Sequence, residues 1–132
     1  MVIRRYANTD EANLLRLIRS EGDEWSDYFG SNGMTPRFKT AMQSSIAYIA
    51  VDGETVCGFV RARDDDGLGV YIYDLLVDKN HRGKGYGSLM LKQVSRDFPG
   101  FDVYVMSDVD GYYEKLGYKR EGSIFKVGSV TG

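Results

Sequence analysis

A glycine-rich segment with two basic residues is the part of this sequence best suited to chemistry. Residues 82–88 read Arg-Gly-Lys-Gly-Tyr-Gly-Ser, and they separate a strongly apolar stretch from an amphipathic one. Alternate glycines allow the backbone to turn several amide N–H groups toward one point, and the positive end of a following helix strengthens the attraction for an anion. Arg82 and Lys84 add charge, and Ser88 adds a hydroxyl. The segment therefore predicts a site suited to a pyrophosphate.

Two other phosphate-binding motifs can be excluded by their spacing. A Walker loop needs glycine, four residues and then Gly-Lys-Ser/Thr, which does not occur in this sequence. The dinucleotide fingerprint G-x-G-x-x-G would need glycine at position 88 or 90, where Ser88 and Met90 stand. A tight strand-to-helix turn would need only one glycine, whereas Gly83, Gly85 and Gly87 occupy alternate positions. Anion binding is therefore favoured over a purely structural turn.

Composition and charge narrow the class of protein. The chain has 132 residues and a formal net charge of −2, from 17 Lys+Arg against 19 Asp+Glu. This balance argues against a nucleic-acid partner, which normally meets a basic face. The longest apolar run, Ile46–Val51, is too short to cross a bilayer, and the first ten residues lack the apolar core of a signal peptide. Cys57 is the single cysteine, so we expect a cytoplasmic protein without disulfides. Because no apolar run is long enough to span a bilayer, we also expect no membrane partner.

Local signals predict one domain over residues 1–132, built as a mixed α/β sandwich. The predicted strands are Val2–Tyr6, Ile46–Val51, Thr55–Arg63, Val70–Val77, Phe101–Met106 and one or two within Tyr118–Val127. The predicted helices run from about Asp10 to Glu21 with Asn8 or Thr9 as cap, from Thr35-Pro36 to near Ser44, from the glycine-rich segment to Pro99-Gly100, and from Asp108 or Asp110 through Leu116.

Three segments together resemble the GNAT superfamily, the acetyl-CoA-dependent N-acyltransferases. Arg82–Gly87 fits the family signature R/Q-x-x-G-x-G/A, Asp74–Asp78 precedes it, and Tyr112–Tyr118 resembles the family segment F/Y-Y-E-K-L-G-F/Y. The element order matches throughout, so the resemblance covers essentially the whole chain and is most specific over residues 70–121. It implies a mixed, mostly antiparallel sheet flanked by helices on both faces. The chain departs from many members at residues 106–108, where Met-Ser-Asp replaces the Asn that binds the pantetheine arm.

The resemblance implies that an amine attacks the thioester of acetyl-CoA directly, within a ternary complex. It places the pantetheine arm along Leu75, Leu76 and Val77, with the Leu76 N–H as oxyanion donor. It places the pyrophosphate at Arg82, Gly83, Lys84, Gly85, Tyr86, Gly87 and Ser88.

The same resemblance implies that Tyr113 is the general acid. A tyrosine, with a pKa near ~10, is protonated at neutral pH and can donate to a departing thiolate whose conjugate acid titrates near ~8.5. The neighbouring Tyr112 is expected to fill the core. No cluster of side chains has metal-ligand spacing, so we expect no metal.

The acceptor is expected to be a small-molecule or peptide amine, which arrives mostly as ammonium and must lose a proton. Asp74 lies in an apolar strand, where a carboxylate is costly unless it is paired or functional. It could take the proton, attract a cationic acceptor, or only bond a neighbouring group, and water could also carry the proton away. Trp25 and Tyr28 lie among acids in the loop between the first two helices. They could bind a cationic amine or simply pack into the core.

Two further possibilities remain open. The first is a non-catalytic acyl-CoA-binding regulatory module that keeps the glycine-rich segment without turnover, although retention of Tyr113 favours an enzyme. The second concerns assembly, because exposed strands at a sheet edge could pair two copies into a homodimer.

Overall fold

Most of the predicted strands and helices form where the sequence places them in the computed structural model, which describes residues 1–129. The strands are β1 (Val2–Arg5), β2 (Phe29–Gly30), β3 (Gly33–Met34), β4 (Ile46–Asp52), β5 (Thr55–Asp64), β6 (Val70–Val77) and β7 (Val103–Val105). The α-helices are α1 (Glu11–Glu21), α2 (Pro36–Ser44), α3 (Tyr86–Asp97) and α4 (Asp110–Lys115), with 3₁₀ turns at Asn8–Asp10, Asp23–Tyr28 and Lys79–His81. Within residues 1–129, no helix has the length and apolar character required to span a membrane.

Five of the strands form one mixed sheet in the order β1-β4-β5-β6-β7. The first three pairs are antiparallel, and only β6 and β7 run parallel, because α3 connects them across one face. The short hairpin β2–β3 lies apart from this sheet, in the segment between α1 and α2 for which the sequence predicts a loop. The predicted mixed, mostly antiparallel sheet with flanking helices is confirmed.

Helices cover both faces of the sheet, and each face has its own buried core. The first cluster joins α1 and α2 to the sheet through Leu14, Leu17, Ile18, Met34, Phe38, Met42, Ala47, Ile49, Val56, Phe59 and Leu76. The second cluster joins α3 to the other face through Tyr48, Ala50, Cys57, Val60, Ala62, Val70, Ile72, Met90, Leu91 and Val94. Alternation along each strand explains this division, since successive side chains point to opposite faces.

The starts of the first two helices show one confirmed cap and one correction. Thr35 caps α2 as predicted, because its hydroxyl oxygen accepts a hydrogen bond from the Phe38 N–H at 3.4 Å. The predicted cap of α1 is wrong, since no side-chain hydrogen bond caps that helix. Instead, the Asp10 carboxylate accepts from the Ala7 N–H at 2.8 Å and pairs with both terminal nitrogens of Arg4 at 2.8 Å. The hydrogen-bonded Arg4 guanidinium holds the pKa of Asp10 below its ordinary value.

The end of the chain differs most from the sequence-based prediction. No strand forms within the predicted range Tyr118–Val127, although the sequence there is rich in strand-forming residues. The predicted strand Phe101–Met106 is reduced to the three residues of β7. Strand formation requires a hydrogen-bonding neighbour, and within residues 1–129 the segment after α4 pairs with none. The prediction of closing strands within one chain is therefore wrong.

Candidate functional site

The sheet opens between its two parallel strands, β6 and β7. They pair only over Val70–Ile72 and Val103–Val105, and the last link is a 2.9 Å bond from the Met106 N–H to the Ile72 carbonyl. Beyond this point β7 has ended, while β6 continues from Tyr73 to Val77. One edge of that part of β6 therefore faces an opening rather than a neighbouring strand.

The register of β6 against β5 determines which backbone groups face the opening. The Asp78 N–H donates to the Cys57 carbonyl across this pair at 2.8 Å. Because an antiparallel ladder alternates, Leu76 also directs its N–H and C=O toward β5, where it lies opposite Phe59. Leu75 directs its N–H the other way, into the opening. The register therefore assigns the free donor to Leu75 in place of Leu76.

A bulge in the same strand decides which side chains lie on which face. Arg61 of β5 pairs with Asp74 and the next residue, Ala62, pairs with Ile72, so Tyr73 is the extra residue in β6. Strict alternation would place Asp74 on the same face as Ile72. With the bulge, Ile72 lies in the second cluster, whereas Asp74 contacts Tyr28 on the first-cluster face.

The glycine-rich loop turns the chain from β6 into α3, next to that opening. Gly83 and Gly85 have φ values of +80° and +82°, in the left-handed region that other residues rarely adopt, and Gly85 is the residue that precedes α3. The N–H groups of the first turn of α3, including those of Tyr86 and Ser88, have no partner within the helix. The loop thus presents several amide donors and the positive end of a helix on one side of the opening.

Gly87 has a different reason to be glycine. A Cβ at this position would overlap the hydroxyl of Tyr112, and it would lie 3.6 Å from a methyl of Val77. The missing side chain therefore allows α4 to approach the start of α3. Tyr112, which the sequence predicts to fill the core, is instead 40% exposed with its hydroxyl at the glycine-rich loop.

Tyr113 takes the more buried of the two tyrosine positions. It packs against the second cluster, and its ring meets that of Tyr112 edge to face with centroids 5.1 Å apart. Burial, with smaller contributions from Tyr112 and Asp108, raises the pKa of Tyr113 to about 12, so its hydroxyl is protonated at neutral pH. Leu75 and Val77 pack against the same cluster. The predicted acid and the predicted cofactor strand therefore share one face of the sheet.

The charges of the loop are not equivalent. Arg82 donates from Nε to the Val77 carbonyl at 3.0 Å and from Nη2 to Glu21 of α1 at 2.7 Å. It therefore fastens the loop to β6 and α1, and its charge is already compensated. Lys84 is exposed on the loop, and no ion pair involves it in the part of the chain that the structure describes. Lys84 is thus the loop cation available to an anion.

A histidine holds the beginning of the loop. His81 Nδ1 lies 2.8 Å from the Asp78 carboxylate, and Nε2 lies 3.4 Å from that of Asp52 in the β4–β5 hairpin. The side chain of His81 is mostly buried between these carboxylates. Neither the His81–Asp52 contact nor the Arg82–Glu21 pair has a local signal, because each joins residues distant in sequence.

Asp74 belongs to a hydrogen-bonded network on the first-cluster face. It is 6% exposed, and its two oxygens accept from Tyr28 Oη at 2.5 Å and Arg61 Nε at 2.6 Å. Arg61 Nη1 also donates to Ser45 Oγ at 3.2 Å. Burial and the bond to Asp74 raise the pKa of Tyr28 to about 12. Asp74 is therefore a paired carboxylate. Pairing offsets the cost of removing its charge from water in an otherwise apolar strand.

The predicted acceptor aromatics are continuous with this network. Tyr28 stacks on Phe38 with centroids 4.2 Å apart, and Trp25 meets Phe59 edge to face at 5.8 Å. Both Trp25 and Tyr28 are half-buried against the first cluster, while the acids around them are exposed. Trp25, Tyr28 and Asp74 thus lie on the face opposite Leu75 and Tyr113, with the opening in the sheet between the two groups.

Similarity to known proteins agrees with this geometry. Residues 43–120 match the family model described as an acetyltransferase (GNAT) domain. Over 69 residues the chain is 28% identical to GCN5-related N-acetyltransferase 2, chloroplastic, of Arabidopsis thaliana, which covers 48% of this chain and 27% of that protein. The chain spans 27% of the length of this relative and 55% of the length of a second curated relative.

Solved structures show the same fold at lower sequence identity. A GNAT family acetyltransferase of Streptococcus pneumoniae TIGR4 superposes with a TM-score of 0.72 at 21% identity, covering 95% of this chain and 96% of that one. An aminoglycoside 6'-N-acetyltransferase in complex with coenzyme A gives a TM-score of 0.61 at 20% identity, over 74% of this chain and 55% of that one. With the family model matching more than half of its residues, this chain belongs to the GNAT acetyltransferase family.

Proposed function

We propose that this chain transfers the acetyl group of acetyl-CoA to a primary amine by direct attack within a ternary complex. The opening between β6 and β7 carries the proposal, because it joins three features at one place. The Leu75 N–H faces into it, the glycine-rich loop borders it, and Tyr113 packs on the same face of the sheet.

The loop fits a pyrophosphate. Gly83 and Gly85 are exposed and give the left-handed turns that direct amides outward at the start of α3. Lys84 supplies the free charge, while Arg82 holds the loop in place. Tyr86 and Ser88 contribute first-turn N–H groups, and the edge of β6 from Leu75 to Val77 would lie along the pantetheine arm.

Two groups of this chain would then act on the reacting atoms. As the amine attacks the carbonyl carbon, the Leu75 N–H donates to the developing oxyanion. As the C–S bond breaks, Tyr113 donates its phenolic proton to the leaving thiolate, which departs as free thiol. The acceptor ammonium loses one proton to solvent before the neutral amine attacks, and the nitrogen loses a second as the amide forms. The tyrosinate takes one proton back from water, so the net reaction releases one proton and charge balances.

The assay that tests this function measures free coenzyme A thiol with acetyl-CoA and a panel of polyamines, amino sugars, amino acids and peptides. We expect acceptor-dependent thiol release with at least one class. Gly85→Ala should raise the KM for acetyl-CoA about tenfold, since it strains the loop at a positive φ and displaces its amides. Gly53→Ala is the matched control, because Gly53 also has a positive φ (+64°) with open space around it, but lies in the β4–β5 turn. Acetyl-CoA that stabilises the protein without any acceptor-dependent release would instead support a binding module.

We further propose that Asp74 orders the acceptor wall rather than taking the proton. Both of its oxygens already accept hydrogen bonds, from Tyr28 and Arg61, so proton uptake would break an existing contact. Held in this way, Asp74 fixes the orientation of the Tyr28 ring beside Trp25. An acceptor cation would then meet an aromatic surface together with the exposed acids of the same loop.

Asp74→Asn should raise the acceptor KM about tenfold, the equivalent of one hydrogen bond, and leave the shape of the pH–rate profile unchanged. Because this change leaves Arg61 buried beside a neutral amide, its effect on folding is measured separately by thermal unfolding. Tyr28→Phe serves as the second variant, since it removes the hydroxyl and keeps the Arg61–Asp74 pair. A large fall in kcat with loss of the acidic limb of the profile would show that Asp74 is the base.

A further inference from the structure

The side chain of His81 joins three elements at the beginning of the glycine-rich loop. Its Nδ1 lies 2.8 Å from the carboxylate of Asp78, directly after β6, and its Nε2 lies 3.4 Å from that of Asp52, the last residue of β4. Its ring faces that of Tyr86, the first residue of α3, with centroids 6.0 Å apart. His81 therefore connects the β4–β5 turn, the loop and the helix that follows the loop.

The two carboxylates determine which protonation state of the ring fits. A neutral imidazole donates from one nitrogen and carries a lone pair on the other, whereas an imidazolium donates from both. With an aspartate oxygen facing each nitrogen, a neutral ring would direct its lone pair at a negative charge. From α3 the titratable group that faces the ring is Tyr86. Burial first and then Asp52 raise the pKa of Tyr86, so it stays neutral and supplies no charge. The geometry therefore fits a ring that carries both protons.

The backbone around His81 fixes the point from which the loop starts. The Asp78 N–H donates to the Cys57 carbonyl of β5 at 2.8 Å, and the His81 N–H donates to the Asp78 carbonyl at 2.9 Å, which closes the 3₁₀ turn. Arg82 follows directly and is fastened to β6 and α1. The loop glycines beyond it are exposed and have no side chain to hold them. The position of the loop amides thus depends on the contacts made immediately before them.

Charge gives the same contact a second role. Asp52 and Asp78 place two negative charges at the beginning of a loop whose amides and Lys84 suit an anion. An imidazolium between the two carboxylates compensates one of these charges, whereas a neutral ring leaves both to repel incoming phosphates. The proton on His81 therefore lowers the repulsion that an anionic ligand meets.

We propose that His81, as an imidazolium bridging Asp52 and Asp78, is a positioning residue that holds the glycine-rich loop in the form that binds the pyrophosphate of acetyl-CoA. The inference rests on the proposed function, because it takes acetyl-CoA as the ligand of the loop. Histidine side chains change charge between about pH 5 and pH 8. The bridge is complete while the ring is protonated and is lost as pH rises, so the affinity for acetyl-CoA should fall in the same direction.

Calorimetric titration of the full chain with acetyl-CoA, from about pH 6 to about pH 9, measures this affinity without an acceptor. At the lower pH, His81→Phe should raise the Kd about tenfold, the equivalent of one charge-assisted hydrogen bond. His81→Arg keeps its positive charge at every pH of the series. It should stay within about threefold of the wild-type Kd at the lower pH and bind more tightly than the wild type at the higher pH. Thermal unfolding of each variant shows whether it is folded.

The kinetic constants separate positioning from chemistry. With the best acceptor of the amine panel, His81→Phe should raise the KM for acetyl-CoA about tenfold and leave kcat within about twofold of the wild type. Turnover at saturating acetyl-CoA should not change, because His81 acts through the loop and not on the reacting atoms.

The other end of the bridge is tested at the β4–β5 turn. Asp52→Asn removes the charge that faces Nε2 and should weaken binding at the lower pH, but in combination with His81→Phe it should weaken binding no further, since both changes remove the same bridge. Glu54→Gln is the matched control. Glu54 lies in the same turn, is exposed and forms no ion pair within residues 1–129, so its replacement should leave the Kd unchanged.

Three results would overturn the inference while acetyl-CoA still binds. Equal Kd values for His81→Phe and the wild type at the lower pH would show that the loop does not need the ring. The same decline of affinity with pH in His81→Arg and in the wild type would show that the proton on His81 has no part in binding. Equal effects of Asp52→Asn and Glu54→Gln would show that the turn does not anchor the loop. A wild type that binds no acetyl-CoA at any pH would instead overturn the proposed function, and this inference with it.

Discussion

Replacing Tyr113 with phenylalanine lowers kcat by about 100-fold or more and leaves the KM for acetyl-CoA within about threefold of the wild type. The change removes one hydroxyl and keeps the ring that packs against the second cluster. The thiolate must then leave without a positioned proton donor, so the loss falls on turnover rather than binding. Steady-state kinetics with the best acceptor of the amine panel measure both constants.

Tyr112→Phe is the matched control for this prediction. The two tyrosines are adjacent in sequence and meet edge to face, but the Tyr112 hydroxyl lies at the start of α3, beside Gly87. Loss of that hydroxyl should therefore raise the KM for acetyl-CoA and change kcat little. If Tyr112→Phe loses the turnover and Tyr113→Phe keeps it, the acid is Tyr112.

The pH dependence follows from the direction of the pKa shift. Burial raises the pKa of Tyr113 to about 12, so the acid form is fully present at lower pH and is lost only as pH approaches that value. The wild-type kcat should therefore show no falling limb between about pH 7 and pH 10. A falling limb within that range which disappears in Tyr113→Phe would show that the hydroxyl titrates near the value of an ordinary tyrosine.

Local sequence signals were sufficient for most elements that build this site. Thr35-Pro36 starts α2, and Val70–Val77 forms β6 over the predicted range. Each of these depends on residues close in sequence: a side-chain cap with a proline at the first turn, or a continuous apolar run bounded by turns. The glycine pattern was informative for the same reason, since positive φ at Gly83 and Gly85 is a local requirement.

Features that depend on pairing between distant residues could not be predicted. The bulge at Tyr73 places Asp74 on the first-cluster face, beside Tyr28, and the bulge exists only relative to β5. Arg82 matched the family signature and was assigned to the pyrophosphate, but it pairs with Glu21, 61 residues away. The strand expected at Tyr118–Val127 has the correct composition and no neighbour within its own described chain, because propensity alone does not supply a ladder.

The second large effect is the loss of turnover expected when the backbone N–H that donates to the oxyanion is removed. This donor is the N–H of either Leu75 or Leu76. Replacing the residue with its α-hydroxy-acid analogue turns one backbone amide into an ester, which removes the N–H and keeps the leucine side chain. At position 75 we expect kcat to fall about 10²–10³-fold, the loss typical of removing one oxyanion donor, with little change in either KM. Single-turnover measurement of thiol release reports this step directly.

The same replacement at position 76 is the control, and the β5–β6 register determines its outcome. The Leu76 N–H belongs to the ladder with β5, opposite Phe59, so its loss should cost about 1 kcal/mol in the free energy of unfolding and change kcat little. The Leu75 N–H faces the opening, where no ladder bond depends on it. The ester at position 76 should therefore lower the free energy of unfolding, and the ester at position 75 should lower kcat. If the ester at 76 loses turnover and the ester at 75 keeps it, alternation in the ladder does not continue past the bulge, and the donor is Leu76.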